Sequence, residues 1–268
     1  MIAPIGDFND DPSGWLTRRR PFKIESEQYC LRNQRHNKAI LRDGTLLHRL
    51  LARKLQTCTA ADPCNCEACL LCMRTFRWRL LNQSISQIHF GDWTAASIVT
   101  AGAQFPIGDL ASFDTRKHIR RWHKRIERNP LLSACRILGG IDISLNVDQG
   151  QAAYWQPHLY VLIAAEPSNA LKQAVRSAFP AEPMAKRPHR FRSVVDQLEA
   201  ISYSYKSHFY ARHSYVNEED EETIDRLPLP DDPHRELLLF LSRHSLGDRL
   251  LLRKFRRHGP GLNLLHLP

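Results

Sequence analysis

Two stretches of alternating polarity constrain this chain more than anything else in it. In "RILGGIDISLNV", Arg136 to Val147, an extended backbone puts Ile141, Ile143 and Leu145 on one side and Asp142, Ser144 and Asn146 on the other. The turn "DQGQ" follows, and then "YWQPHLYVLIAA", Tyr154 to Ala165. This second stretch carries the apolar run Leu159, Val161, Leu162 and Ile163, yet Gln156, His158 and Tyr160 share one of its faces. Two such arms joined by a turn predict a β-hairpin. Pairing of the arms would bring Asp142 beside His158. A carboxylate, an imidazole and a further oxygen or nitrogen donor are a set that can hold Mg²⁺ or Mn²⁺.

A second feature is "CTAADPCNCEACLLC". It places five of the chain's seven cysteines at positions 58, 64, 66, 69 and 72. Thiolates two or three residues apart can converge on one tetrahedral Zn²⁺. Five thiols in one short polar loop are hard to explain by packing. The expected set is Cys64 or Cys66 with Cys69 and Cys72, the fourth ligand coming from Cys58 or from further away. Four sulfur ligands leave no position for water, so such a zinc is structural. Cys30 and Cys135 read as core thiols. No apolar run approaches the roughly 20 residues needed to cross a bilayer. The N-terminus, "MIAPIGDFNDDPSGW", lacks the charged-then-apolar order of a signal peptide, so the expected location is the cytoplasm. The formal charge of +10 in 268 residues points to an anionic partner, nucleic acid first.

Along the chain, residues 1–22 read as a flexible N-terminus, and 23–90 as a helical segment with the cysteine-rich module. "WTAASIVT", Trp93 to Thr100, reads as a short strand. Leu110 to Arg128 is the clearest helix, with Ile119, Trp122 and Ile126 on one stripe. Arg116, Lys117, Arg120, Arg121, Lys124, Arg125 and Arg128 surround that stripe against a single Glu127, an excess that favours contact with a DNA backbone. Ser168 can cap a helix running to about Phe179, and a further helix is expected from about Ser193 to Tyr210. Residues 216–233 read as an acidic linker, and 234–268 as a basic helical tail offering a surface for self-association or a replication-protein partner. Within "EAISYSYKSHFY", Tyr203 and Lys206 are three apart and share a face of the expected helix. A phenol there can act as a nucleophile, and an ammonium beside it can steady developing charge.

In order, the chain offers a cysteine cluster, a strand ending in Thr, a basic helix, "GGIDISLN", "WQPHLYVLI" and "SYSYK". This series resembles the rolling-circle replication initiator (Rep) proteins of plasmids, in the HUH endonuclease superfamily, over roughly residues 58–210. "CNCEACLLC" is similar to their Cys-rich segment, "WTAASIVTAG" to their first strand motif, and "WQPHLYVLIA" to their histidine-bearing strand. The resemblance implies an acidic metal ligand at Asp142, a histidine ligand at His158, a nucleophile at Tyr203 and its partner at Lys206. The motif is altered: Tyr160 stands where the family has its second histidine, and Gln156 where it has a preceding one. Gln156 and Tyr160 are the remaining candidate ligands for Mg²⁺ or Mn²⁺.

The expectation is therefore an α+β protein, with a central, mostly antiparallel sheet and helices on one side of it, preceded by the zinc-bearing helical segment. Residues 91–215 would form the HUH-like nuclease domain. The implied activity is nicking of single-stranded or hairpin DNA through a covalent tyrosine-5′-phosphate, in rolling-circle replication or mobilisation, with no membrane involved. Two rivals stand beside it. One is a DNA-binding or regulatory module that keeps the fold and the zinc but has lost catalysis with the second histidine. The other is a zinc-stabilised structural protein with a fortuitous Tyr-x-x-Lys.

Overall fold

The computed structural model describes residues 25–88, 91–148, 150–183, 185, 187–216 and 222–255. The expected flexible N-terminus, the acidic run at 217–221 and the end of the basic tail lie outside these residues.

The described residues open with three helices, α1 (Glu27–Arg42), α2 (Leu46–Thr57) and α3 (Leu70–Ile88). Ser26 caps α1 through the Tyr29 N–H, and the Asp43-Gly44-Thr45 turn separates it from α2. The sheet follows. It contains β1 (Thr94–Ile98), β2 (Phe105–Pro106), β3 (Ile137–Asp148), β4 (Tyr154–Ile163), β5 (His189–Ser193), β6 (Ala211–Val216), β7 (Glu222–Leu227) and β8 (Leu250–Arg253). The main order is β5-β1-β4-β3-β6-β7, with β2 beside β4 and β8 beside β3. Every pairing is antiparallel except β3 with β6, so the sheet is mixed.

The β3–β4 hairpin forms the centre, in the register that the alternation predicts. Asp142 lies opposite His158, Ser144 opposite Gln156, and Gly140 opposite Tyr160. Ile141, Ile143, Leu145, Trp155 and Leu159 occupy the other face, almost fully buried. Apolar burial of that face at roughly 25 cal/mol per Å² is the main drive for the hairpin.

Four more helices lie around the sheet: α4 (Thr115–Arg128), α5 (Pro130–Ala134), α6 (Asn169–Ala178) and α8 (Asp231–Ser242). Asp114 caps α4. Asn129 ends it and caps α5, with Pro130 in the first turn. Trp155, on the apolar face, donates its indole N–H to Glu236 of α8 at 2.7 Å. Ring contacts then run from Phe240 to Phe113, His118, Trp122 and Phe179, tying α4 to the same side. A further helix, α7 (Gln197–Ser204), lies on the polar face instead. A Cβ at Gly140 would stand 3.1 Å from the Ser204 carbonyl oxygen and from the Tyr205 ring. Glycine there lets the end of α7 press onto the strand.

Several expectations are corrected. Helices cover both faces of the sheet, not one, because the polar face also needs a lid over its buried groups. Ser193 ends strand β5, and α7 is only Gln197–Ser204 rather than a helix to Tyr210. At Tyr205 the backbone leaves the helix (φ −141°, ψ 57°) as its ring sinks into the core. Leu110–Ser112 is a separate 3₁₀ turn, and α4 begins at Thr115. The expected acidic linker supplies β7 and the start of α8. The apolar Leu250–Leu252 is strand β8, paired to the first half of β3, rather than part of a helical tail. A short apolar run reads equally as helix or strand until a partner edge is present.

The cysteine-rich segment is sewn into the sheet. Glu67 and Arg249 form an ion pair at 2.5 Å, with both side chains almost fully buried. The Tyr205 hydroxyl also donates to Glu67 and accepts from the Gly247 N–H, and Arg249 donates to the Ile141 carbonyl at 2.6 Å. Backbone bonds from Glu67 to His244 and from Leu246 to Asn65 complete the seam.

Candidate active site and metal centre

The hairpin register builds the polar site. Asp142 Oδ2 lies 3.2 Å from His158 Nε2 and 2.6 Å from the Lys206 ammonium. Asp142 Oδ1 accepts the Ile143 N–H at 2.7 Å. His158 Nδ1 donates to the Gln156 carbonyl at 3.2 Å, which fixes the ring with Nε2 toward the carboxylate. Burial by itself would push the Asp142 pKa up. The Lys206 ammonium, then His158, outweigh that and hold the carboxyl well below the usual carboxylate range.

Lys206 comes to Asp142 from beyond the end of α7, not from its surface. It and Tyr203 nevertheless converge: the Lys206 Nζ stands 5.3 Å from the centroid of the Tyr203 ring. The Tyr203 ring packs edge-on against Tyr160 at 4.8 Å between centroids. Tyr160 shares a strand face with His158, so Tyr203, Lys206, His158 and Asp142 all lie on one side of the sheet. Tyr203 is 37 % exposed. Burial, then the neighbouring Tyr203, push the Tyr160 hydroxyl up to about 12, so it stays a neutral phenol.

The four candidate ligands for a hard divalent ion do not form a donor set. Asp142 Oδ2 is engaged by an ammonium and an imidazole. The Gln156 side-chain oxygen accepts from the Asn146 amide at 2.9 Å. Tyr160 is turned onto Tyr203, and a neutral phenol is a poor ligand for such an ion. The residues present therefore do not fit Mg²⁺ or Mn²⁺.

His158 and Gln156 also line a groove of about 740 Å³ on the same face. Arg187, Arg190 and Arg212 line it as well. Arg190 is brought in by the row Arg190–Ser97–Tyr160 across β5, β1 and β4, and Arg212 by its pairing with Asn146. These arginines are hidden in the sequence because β5 is a short, polar edge strand, β6 is a short, polar strand between β3 and β7, and Arg187 precedes β5. The period-2 alternation of "ARHSYV" is the only signal for Arg212, and Arg187 and Arg190 have none. The basic residues of α4 belong elsewhere. Arg116, Lys117, Arg120, Arg121, Lys124 and Arg128 are exposed and Arg125 is half-buried, but none of them lines this groove. Arg116 reaches Asp248 at 3.4 Å.

The second site is the thiol cluster. The sulfurs of Cys58, Cys64, Cys69 and Cys72 lie within 4.8 Å of one another. Individual separations are 3.4 Å for Cys58–Cys72, 3.6 Å for Cys58–Cys69 and 3.8 Å for Cys64–Cys72. A tetrahedron of zinc–sulfur bonds of about 2.3 Å has sulfur–sulfur edges of about 3.8 Å, so four thiolates here could hold such a metal. Hydrogen bonds from Cys69 and then Cys72 draw the Cys64 thiol down, and the same contacts push Cys69 up. Cys69 and Cys72 flank the N-terminus of α3, where the helix dipole favours thiolates. Cys66 is not in the set. Asn65, at a left-handed φ of 50°, turns the chain, and the Cys66 sulfur faces the Ser242 carbonyl at 3.9 Å. Gln34 of α1, which the sequence did not suggest, donates to the Cys69 sulfur at 3.4 Å and accepts the Leu70 N–H at 3.1 Å. It plays the orienting role that outer hydrogen bonds play at metal sites.

No helix among the described residues is long and apolar enough to cross a membrane. Comparison with known protein families, with curated proteins and with solved structures gives no match.

Proposed function

We propose that the protein nicks single-stranded DNA, as an initiator of rolling-circle replication or of DNA mobilisation, by way of a covalent link to Tyr203. The observation that carries this reading is the convergence of Tyr203 and Lys206 with His158 and Asp142 on one sheet face, where His158 also lines a groove bearing three arginines. The half-exposed phenol of Tyr203 would attack the scissile phosphorus. The new bond joins the Tyr203 oxygen to the 5′ phosphate, and the bond to the 3′ oxygen breaks. The phenolic proton passes through solvent and the 3′ oxygen takes one up, so nothing is consumed and a 3′ hydroxyl is released. Arg187, Arg190 and Arg212 would hold the strand's phosphates in the groove. The exposed face of α4 would take the backbone of flanking DNA. At the cysteine cluster the ion would be Zn²⁺, held by Cys58, Cys64, Cys69 and Cys72, with a structural role.

A second reading, a DNA-binding module without catalysis, draws support from the engagement of Asp142 by Lys206 and from the tyrosine at 160. One experiment separates the two. Single-stranded oligonucleotides carrying hairpins of the host element are incubated with the protein, and adducts are resolved by denaturing electrophoresis. The nickase reading expects a protein–DNA adduct that Tyr203→Phe abolishes. Salt-sensitive binding with no adduct on any strand overturns it in favour of the module. In that case Tyr160→His, if it restores nicking, marks a decayed enzyme.

A further inference from the structure

We infer that the cation of this site is the Lys206 ammonium, which stands where the resemblance would place a divalent metal, so that nicking proceeds without Mg²⁺ or Mn²⁺. The inference rests on the nicking reading for its activity arm only. The argument begins at Asp142. Its carboxylate is almost fully buried, and an isolated buried carboxylate costs several kcal/mol, so a cation must accompany it. Lys206 supplies one at 2.6 Å, from a side chain that is itself only 18 % exposed. One positive charge neutralises one carboxylate, and among the described residues no second carboxylate pairs with Lys206 or with His158.

A hard divalent ion seeks about six oxygen ligands and carries two charges. Here it would find one carboxylate oxygen already held by an ammonium, and an amide oxygen committed to Asn146. The position that the family resemblance gives to a second imidazole is filled by Tyr160, whose ring is packed on Tyr203. Losing an imidazole ligand weakens the hold on a metal, and the Lys206 ammonium already neutralises the carboxylate.

The ammonium also fits the reaction. Its Nζ lies 2.6 Å from the buried carboxylate and 5.3 Å from the centre of the Tyr203 ring, within reach of a phosphate oxygen drawn to that phenol. The charge that develops on the phosphorane oxygens then meets a fixed positive group rather than a bound ion. Asp142 holds that ammonium in place and acts as a positioning residue.

Two measurements test the inference. Protein is passed over chelating resin to strip loosely held divalent ions, and retention of the cysteine-bound metal is checked by mass spectrometry of the intact protein. Mn²⁺ is then titrated against this protein and against Asp142→Asn by electron paramagnetic resonance. The wild type should bind no Mn²⁺ that Asp142→Asn loses. Adduct formation by the stripped wild type should be undiminished and unstimulated by Mn²⁺. Lys206→Met should lower it about 10²–10³-fold, the usual effect of removing one transition-state donor, while Lys206→Arg keeps the positive charge and most of the rate. An Asp142-dependent Mn²⁺ site in the wild type overturns the inference, as does nicking that requires added Mn²⁺. If no adduct forms under any condition, the nicking reading fails, and the Mn²⁺ titration alone decides the identity of the cation.

Discussion

Glu67 shows how a single buried charge can organise this molecule. It sits inside the cysteine motif and is almost fully buried, held by Arg249 from the loop before β8 and by the Tyr205 hydroxyl. Breaking one partner of such a pair leaves the other uncompensated, at a cost of about 3–5 kcal/mol. Glu67→Gln and Arg249→Met should each lose about that much in urea unfolding, whereas Glu67→Leu combined with Arg249→Met should recover most of it. Equal losses in the single and double variants would contradict this account. Glu25 offers a pH test at the same scale. Burial pushes its carboxyl up, but the hydrogen bond to His208 and the charge of Arg77 win, so its folded pKa lies below the ordinary 4.5. A depressed carboxylate contributes stability that is present above its unfolded value and is lost as pH falls through the folded one. Thermal melting between neutral pH and about pH 3 should therefore fall more steeply in the wild type than in Glu25→Gln. Parallel curves would remove the pair from the stability account. Neither residue advertised itself in the sequence, because a charged side chain reads as solvated until its distant partner is known.

Elements differ in how much of their structure a local pattern carries. The β3–β4 hairpin was legible in full, down to Asp142 opposite His158, because one buried face fixes register when side chains alternate with a period of two. The segment around Tyr203 was legible only in part. Its helix stops at Ser204, since Tyr205 is drawn down to Glu67 and Gly140 lets it approach. Lys206 meets Asp142 because of that exit, a non-local event that spacing cannot reveal. β8 failed for a similar reason: "LLLR" becomes a strand only because the edge of β3 awaits it. The cysteine cluster falls between these cases. Spacing pointed to a possible metal site, and the left-handed turn at Asn65 sets Cys64 rather than Cys66 beside Cys69 and Cys72, with Cys58 as the fourth thiol. Elemental analysis should find one zinc per chain in the wild type and in Cys66→Ser, and none in Cys69→Ser. Removal of the metal should loosen α3 and, through Glu67, lower the melting temperature of the whole chain. A Cys66→Ser variant without metal would reassign the ligands.

At the scale of the whole molecule, the sheet divides its two faces between packing and chemistry. One face buries Trp155 and the isoleucines of β3 under α8 and its neighbours. The other keeps Asp142, His158, Gln156 and Asn146 under α7 and along the groove. Net charge suggests an anionic partner, and it draws attention to α4 because that helix concentrates its arginines in sequence. The groove arginines are scattered over β5, β6 and the segment before β5, and only the folded sheet collects them. Binding of a single strand should therefore depend on the groove. Arg190→Ala and Arg212→Ala should each flatten the dependence of log K on log salt by about 0.7–1. Arg120→Ala with Arg121→Ala should have less effect on a short single strand. The reverse ranking would move the binding surface to α4.

The central claim is that a phenol above this sheet face is the group that joins DNA. Peptide mapping of the covalent adduct by tandem mass spectrometry tests it most directly. The account predicts a nucleotide phosphate attached to Tyr203, within the peptide that precedes Lys206. Attachment at Tyr160, Tyr210 or Tyr215, or to a residue other than tyrosine, would contradict it.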